Sequence, residues 1–284
     1  MKYTLTTIAA LTWLATVAAC ADEIRWHESF EAAQQAAQAS DKPIMADFWR
    51  AGCEPCDMLD EQTYVDPAVI TKATEFESVK VNTRVEYDLA TRYAIAFVPT
   101  IHFMTPGGVV VRTVSGFALP EPLLAEMTRA LEAYDAFKLA AELEPKFAEN
   151  PDDAGLALQI AEAYRLSRQF DKAAQYAAKV LELAGDDAEI RLKALLIRGM
   201  SLVQAGEPGE AVEPLSAFVA ENPDSEDIWD AKLYLGFAYL QVRQEDKGVP
   251  LLQEVVDNTA EDARVHVIAT RLLAWQASMS GGTP

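Results

Sequence analysis

The stretch Asp47-Phe48-Trp49-Arg50-Ala51-Gly52-Cys53-Glu54-Pro55-Cys56 carries a short apolar run into two cysteines separated by two residues. The run, Ile44 to Trp49, has the length of one buried strand and is followed at once by a glycine turn signal. Beyond it, Pro55 suits the first turn of a helix, where no amide hydrogen is required. A strand feeding a helix at this point puts Cys53 at the helix N-terminus and Cys56 one turn deeper. Unpaired amides and the helix dipole at such a terminus favour the thiolate, the reactive form of cysteine.

Three kinds of chemistry can use such a pair. A zinc site normally takes four ligands, yet the chain has only one further cysteine, Cys20, and three scattered histidines, His27, His102 and His266. No metal is therefore expected, and no other cofactor is called for. A structural staple closing so short a loop removes little unfolded-chain entropy and stabilises weakly. A dithiol that opens and closes is the chemistry the pattern favours.

Working outward, Ser29 to Ser40 reads as a helix, Asp66-Pro67 as a helix start, and Val79 to Asn82 as a core strand. Thr100 to Met104 and Val109 to Val114 are further strands joined by the Pro106-Gly107-Gly108 turn. Glu121 to Tyr134 is an amphipathic helix. Strands alternating with helices and ending in a hairpin imply an α/β unit with a mixed central sheet and helices on both faces.

With Asp47-Phe48-Trp49, Cys53-x-x-Cys56, Val98-Pro99-Thr100 and Gly116 in this order, residues 21–134 resemble the thioredoxin family over about 110 residues. The resemblance implies a thioredoxin fold and thiol–disulfide exchange with protein disulfides. Cys53 would attack a substrate disulfide and Cys56 would resolve the mixed disulfide. Asp47 would be a buried carboxylate exchanging a proton with Cys56, and Pro99 a cis proline beside Cys53. Trp49, Gly52, Val98 and Thr100 would form the surface that meets substrate. Gly52 departs from the family, which usually has tryptophan there. The stretch Asp60 to Val69 is similar to the C-terminal domain of the DsbD-type disulfide-reducing transporters, which implies reduction in the periplasm.

After Tyr134 the strand signal disappears and the chain repeats itself. Ala148-Glu149-Asn150-Pro151-Asp152 returns as Ala220-Glu221-Asn222-Pro223-Asp224, 72 positions later. Small residues pair twelve positions apart at Ala161 and Ala173, Gly199 and Ala211, and Gly236 and Gly248. Such pairs let two helices of a hairpin approach closely. Residues 135–284 thus resemble tetratricopeptide repeats: an all-α helical repeat domain of three repeats and a C-terminal helix from Glu261 to Met279. Laid on that family's concave face, Leu158, Glu162, Arg165, Leu196, Met200 and Val203 would form a groove for a protein or peptide partner. Leu233, Phe237 and Leu240 would be covered by the C-terminal helix, with Val265, Ile268, Leu272 and Trp275 along its stripe. An alternative function follows from the same residues: a periplasmic chaperone or assembly scaffold in which the repeats hold clients and the dithiol is secondary.

Residues 1–20 read as an export signal, with Lys2 ahead of an uncharged run ending at Ala19. Val17-Ala18-Ala19-Cys20 resembles a lipobox, making Cys20 a lipidation site and the protein a periplasmic lipoprotein. Cleavage near Ala21 is the alternative and would release a soluble periplasmic protein. A net charge of −20 argues against nucleic acid as a partner, and leaves the membrane reachable only through an N-terminal lipid.

Overall fold

The computed structural model describes residues 22–280, so the stretch expected to be an export signal, the expected lipobox and Cys20 lie outside the described residues. Five strands form one sheet in the order β1-β3-β2-β4-β5: β1 (Trp26–His27), β2 (Ile44–Trp49), β3 (Glu77–Asn82), β4 (Thr100–Met104) and β5 (Val110–Ser115). The first three run parallel; β4 and β5 are antiparallel to their neighbours. The central strand β2 is buried on both faces, which its near-continuous apolar sequence requires.

Helices cover the two faces with opposite alternation sets of β2. Ile44, Ala46 and Phe48 pack with Val79 and Val81 under α1 (Phe30–Ser40) and α4 (Tyr87–Arg92). Met45, Ile101, Phe103 and Val111 pack under α3 (Pro67–Ala73) and the start of α5 (Pro120–Glu149). Two of the starts expected for helices are capped: Ser29 accepts from the Ala32 amide, and Asp66 accepts from Ala68 and Val69. The short strand β1 and helix α4 left no signal in the sequence strong enough to find them.

Helix α5 does not stop at Tyr134. It continues to Glu149, and its apolar stripe changes partners on the way. Leu123, Met127 and Ala130 face the sheet, whereas Ala140, Leu143 and Phe147 join a core with Leu158, Ile160 and Tyr164.

The rest is a stack of antiparallel hairpins, with α6 (Ala154–Leu166) against α7 (Phe170–Leu183), α8 (Ala188–Ala205) against α9 (Pro208–Glu221), and α10 (Ile228–Gln241) against α11 (Glu245–Asn258). Helix α12 (Arg264–Ser280) closes the stack, its Val265, Ile268, Ala269 and Leu272 packed with Leu233, Leu240 and Leu252. The small residues do what their spacing implies. A Cβ on Gly199 would lie 2.4 Å from Leu215 Cγ, and one on Gly248 would lie 2.7 Å from the Gly236 carbonyl oxygen. Only hydrogen fits at these crossings.

The sheet and the stack also meet side-on. Gln169, in the turn between α6 and α7, donates from Nε2 to the Val110 carbonyl at 3.2 Å. This occupies one acceptor of edge strand β5, which would otherwise be open to a foreign strand.

Candidate active site

Strand β2 ends at Trp49 and the chain turns through Gly52, whose φ of +74° lies in the left-handed region. Glycine adopts this conformation without the Cβ penalty that other residues meet. The departure from the family tryptophan therefore coincides with a backbone that favours glycine. Cys53 is the N-cap of α2 (Glu54–Met58), and its carbonyl accepts from the Cys56 and Asp57 amides at 2.9 and 3.1 Å. Pro55 sits in the first turn, as its missing amide hydrogen allows.

Cys53 and Cys56 are joined by a disulfide, with Cα atoms 5.3 Å apart. Both are buried, and Cys53 Sγ lies 3.7 Å from the Val98 carbonyl oxygen. The Val98–Pro99 peptide bond is cis. Pro99 leads into β4 and its carbonyl accepts from the Gly116 amide at 2.8 Å, which ties the proline loop to the end of β5. Thr100 is buried and donates to the Phe97 carbonyl, while Phe97 itself is exposed. Trp49 is half-buried at the mouth of the strand.

Asp47 is 2% exposed, and its Oδ1 has no hydrogen-bond partner. It shares a sheet face with Met45, beneath the segment that follows the cysteines. That segment continues α2 as a π-helical turn, Leu59–Thr63, and packs Leu59 and Tyr64 onto the same face. Burial pushes the Asp47 carboxyl up to about 7, against the opposing pull of Lys80. Asp60 adds a smaller upward push, and the Tyr64 hydroxyl a smaller downward one. Burial also holds the Tyr64 hydroxyl well above its ordinary value.

Lys80 was not legible as a site residue. It is the register partner of Asp47 on β3, with Nζ 3.9 Å from Oδ2. The same ammonium pairs with Asp60 and lies 5.2–5.8 Å from the ring centroids of Trp26, Trp49 and Tyr64. Aligning β2 against β3 in sequence would have exposed it. The fold thus gathers a disulfide at a helix N-terminus, a cis proline loop against it, and a buried carboxyl whose pKa is set near neutrality. Among the described residues, no cluster of three or more His, Cys, Asp and Glu side chains is poised for a metal ion.

This arrangement has known counterparts. A family model described as thioredoxin-like domain matches residues 30–131. Thioredoxin 1 of Nostoc sp. is 36% identical over 91 residues, which cover 31% of this chain and 78% of that relative. The chain belongs to the thioredoxin family. The thiol:disulfide interchange protein DsbD of Campylobacter jejuni is 41% identical over 54 residues, covering 19% of this chain. The chain spans about a tenth of the length of the DsbD proteins it matches. Among solved structures, the kinesin light chain TPR-like repeats from Podosopora anserina align at a TM-score of 0.39 and 19% identity. They cover 70% of this chain and 87% of that one.

On the repeat side, the expected groove residues separate. Glu162, Arg165, Leu196 and Met200 line one cavity of about 500 Å³ together with Lys193, Asp227, Asp230 and Arg264. Val203 lines a neighbouring cavity of about 290 Å³ walled by Leu233, Phe237, Ile268 and Leu272. Leu158 is in neither. It is 7% exposed, within the core that Ala140, Leu143 and Phe147 of α5 complete. The unforeseen second half of α5 takes this leucine out of the groove. Among the described residues no helix is long and apolar enough to cross a membrane.

Proposed function

We propose that the protein is a thiol–disulfide oxidoreductase of the bacterial cell envelope that reduces protein disulfides, with its helical repeats recruiting a partner. The observation that carries this reading is the Cys53–Cys56 disulfide at the start of α2, set against the cis Val98–Pro99 bond on a sheet that buries Asp47.

In the reduced protein, the Cys53 thiolate attacks one sulfur of a substrate disulfide. One substrate sulfur leaves as a thiolate and the other stays in a mixed disulfide with Cys53. Cys56 then loses its proton to the Asp47 carboxylate and attacks Cys53 Sγ. The substrate leaves as a dithiol and the chain is left oxidised, the form seen here. Asp47 suits this step because a carboxyl set near pH 7 can both take and return a proton at neutral pH. A dithiol donor must then supply two electrons to reopen the Cys53–Cys56 bond. Exposed Phe97, beside the proline loop, offers substrate an apolar contact.

The envelope location draws on the signal-like residues 1–20, and Cys20 is the proposed lipid anchor. The partner groove draws on the cavity that Glu162, Arg165, Leu196 and Met200 help to line.

The test is reduction of insulin by the chain in the presence of dithiothreitol, together with equilibration against glutathione. Insulin reduction that vanishes in Cys53→Ser, and an equilibrium potential on the reducing side of the glutathione couple, support the reading. A wild type no faster than dithiothreitol alone overturns it.

A further inference from the structure

Where the sheet meets the repeats, arginines from both halves converge. Arg112 on β5, Arg165 on the last turn of α6 and Arg168 in the following turn line a cavity of about 200 Å³. Leu166, Phe170, Met200, Gln204 and Tyr234 complete its wall, and no carboxylate lines it. That is notable in a chain with 44 acidic residues and a net charge of −20. The three charges are incompletely neutralised. Arg112 pairs with Glu126 at 2.5 Å, but Glu126 also serves Arg129. Among the described residues, neither Arg165 nor Arg168 forms an ion pair with a carboxylate. The Arg168 guanidinium lies 5.1 Å from the Phe170 ring.

Guanidinium groups repel one another, and desolvation together with Arg112 lowers the Arg168 pKa, while Tyr234 and Glu126 act in the other direction. Cations at the end of α6 do complement the helix dipole. That effect does not account for Arg112, which comes from another element. A planar, multidentate donor set of this kind matches an oxyanion, carboxylate or phosphate.

We infer that this inter-domain pocket binds a carboxylate group on an acidic, partly apolar segment of the partner polypeptide. The inference rests on the reading that the repeats take a polypeptide partner, and it specifies that partner's chemistry. Two features favour a peptide over a free ion. The pocket shares Arg165, Leu166 and Met200 with the larger groove cavity, so a chain can pass from one to the other. Leu166 is 56% exposed at the junction and offers an apolar contact that a bare anion cannot use. Because Arg112 belongs to the sheet and Arg168 to the repeats, a bound carboxylate would also brace the two halves.

The experiment is fluorescence anisotropy of the full chain with a fluorescein-labelled peptide of alternating Glu and Leu. The same peptide with Lys in place of Glu, and unlabelled inorganic phosphate as competitor, are the controls. The overall negative charge should repel the acidic peptide and attract the basic one, so local recognition has to overcome the field. The expected result is tighter binding of the Glu peptide, weakened about 10-fold in Arg168→Gln and again in Arg112→Gln. Arg168→Lys should fall between, since it keeps charge and loses the planar fork. Unchanged circular dichroism would show that each variant is folded.

Equal or tighter binding of the Lys peptide, or no loss in the folded variants, overturns the inference. Inorganic phosphate competing at the same concentration as the peptide does so too, by reducing the pocket to a small-anion site. If the inference fails while the Leu196→Asp/Met200→Asp double variant still loses partners trapped on Cys56→Ser, the docking reading stands without the arginine pocket. If that loss is absent as well, both readings fall.

Discussion

The two halves of the molecule are tight in opposite ways. At the centre of the sheet, a carboxyl that water would rather solvate is held almost fully buried, pulled down by the Lys80 ammonium and the Tyr64 hydroxyl and pushed up by Asp60. At the centre of the repeats, helices cross closely at residues that have no side chain: Gly199 against the Leu215 side chain, and Gly236 against Gly248. The first kind of burial costs stability and sets a proton affinity. The second allows close helix packing and performs no chemistry. The comparison teaches that one half is organised around a point, a carboxyl buried in the sheet that carries the disulfide, and the other around a period, a close helix contact that recurs along the stack.

Substitutions can break that comparison. The largest expected effect is on activity. Cys53→Ser should bring insulin reduction down to background, whereas Leu196→Asp combined with Met200→Asp should leave reduction of a small model disulfide unchanged and remove partner capture. A double variant that loses both would make the halves one functional unit.

Next comes Asp47→Asn, read by denaturant unfolding from pH 4 to pH 8. Burial raises the folded-state pKa to about 7 from the ordinary carboxyl value of 3.8. The folded protein therefore holds a proton at Asp47 that the unfolded chain releases, and the Asp47 contribution to stability falls as pH rises between these values. Asparagine removes that slope. The variant should match wild type near pH 4 and exceed it by roughly 3–5 kcal/mol above pH 7. Its resolution of mixed disulfides should slow by about 100-fold through loss of the general base. Parallel stability curves would mean that Asp47 does not titrate in this range.

In the repeats, Gly199→Ala puts a methyl where Leu215 sits and should cost about 1–3 kcal/mol by overpacking. Gly52→Ala is the matching test in the sheet half. A Cβ added there would meet nothing within 4 Å, yet φ is +74°, so the cost of about 1–2 kcal/mol is conformational. In a Leu215→Ala background the further cost of Gly199→Ala should shrink, whereas no repacking should lessen the cost at Gly52. The smallest effect is expected at the seam: Gln169→Ala loses the bond to Val110 and should cost about 0.5–1.5 kcal/mol.

What could be read from sequence follows the same division. Ile44 to Trp49, Thr100 to Met104 and the Asp66 cap act through neighbours in the chain, and their local pattern suffices to place them. The small-residue pairs were legible because the period repeats them. Lys80 was not, since its role exists only once β3 lies beside β2. The same holds for Leu158. Its helix and its alignment to the repeat pattern were readable, but its burial depends on the second half of α5, and nothing in the sequence near Tyr134 shows that this helix runs on. Gly52 stood out as a departure from family pattern, and only the backbone angle supplies a reason for it. Of the arginine pocket only Arg165 was legible, through the repeat pattern; Arg112 and Arg168 join it only once β5 lies beside the turn after α6.

The central claim is that Cys53 is the attacking sulfur and Cys56 the resolving one. Its most direct measurement is mass spectrometry with peptide mapping of the reduced Cys56→Ser and Cys53→Ser variants after brief exposure to glutathione disulfide. The account predicts a stable glutathione adduct on Cys53 in Cys56→Ser and a far slower adduct on Cys56 in Cys53→Ser. Equal rates on the two cysteines, or faster modification of Cys56, would contradict it.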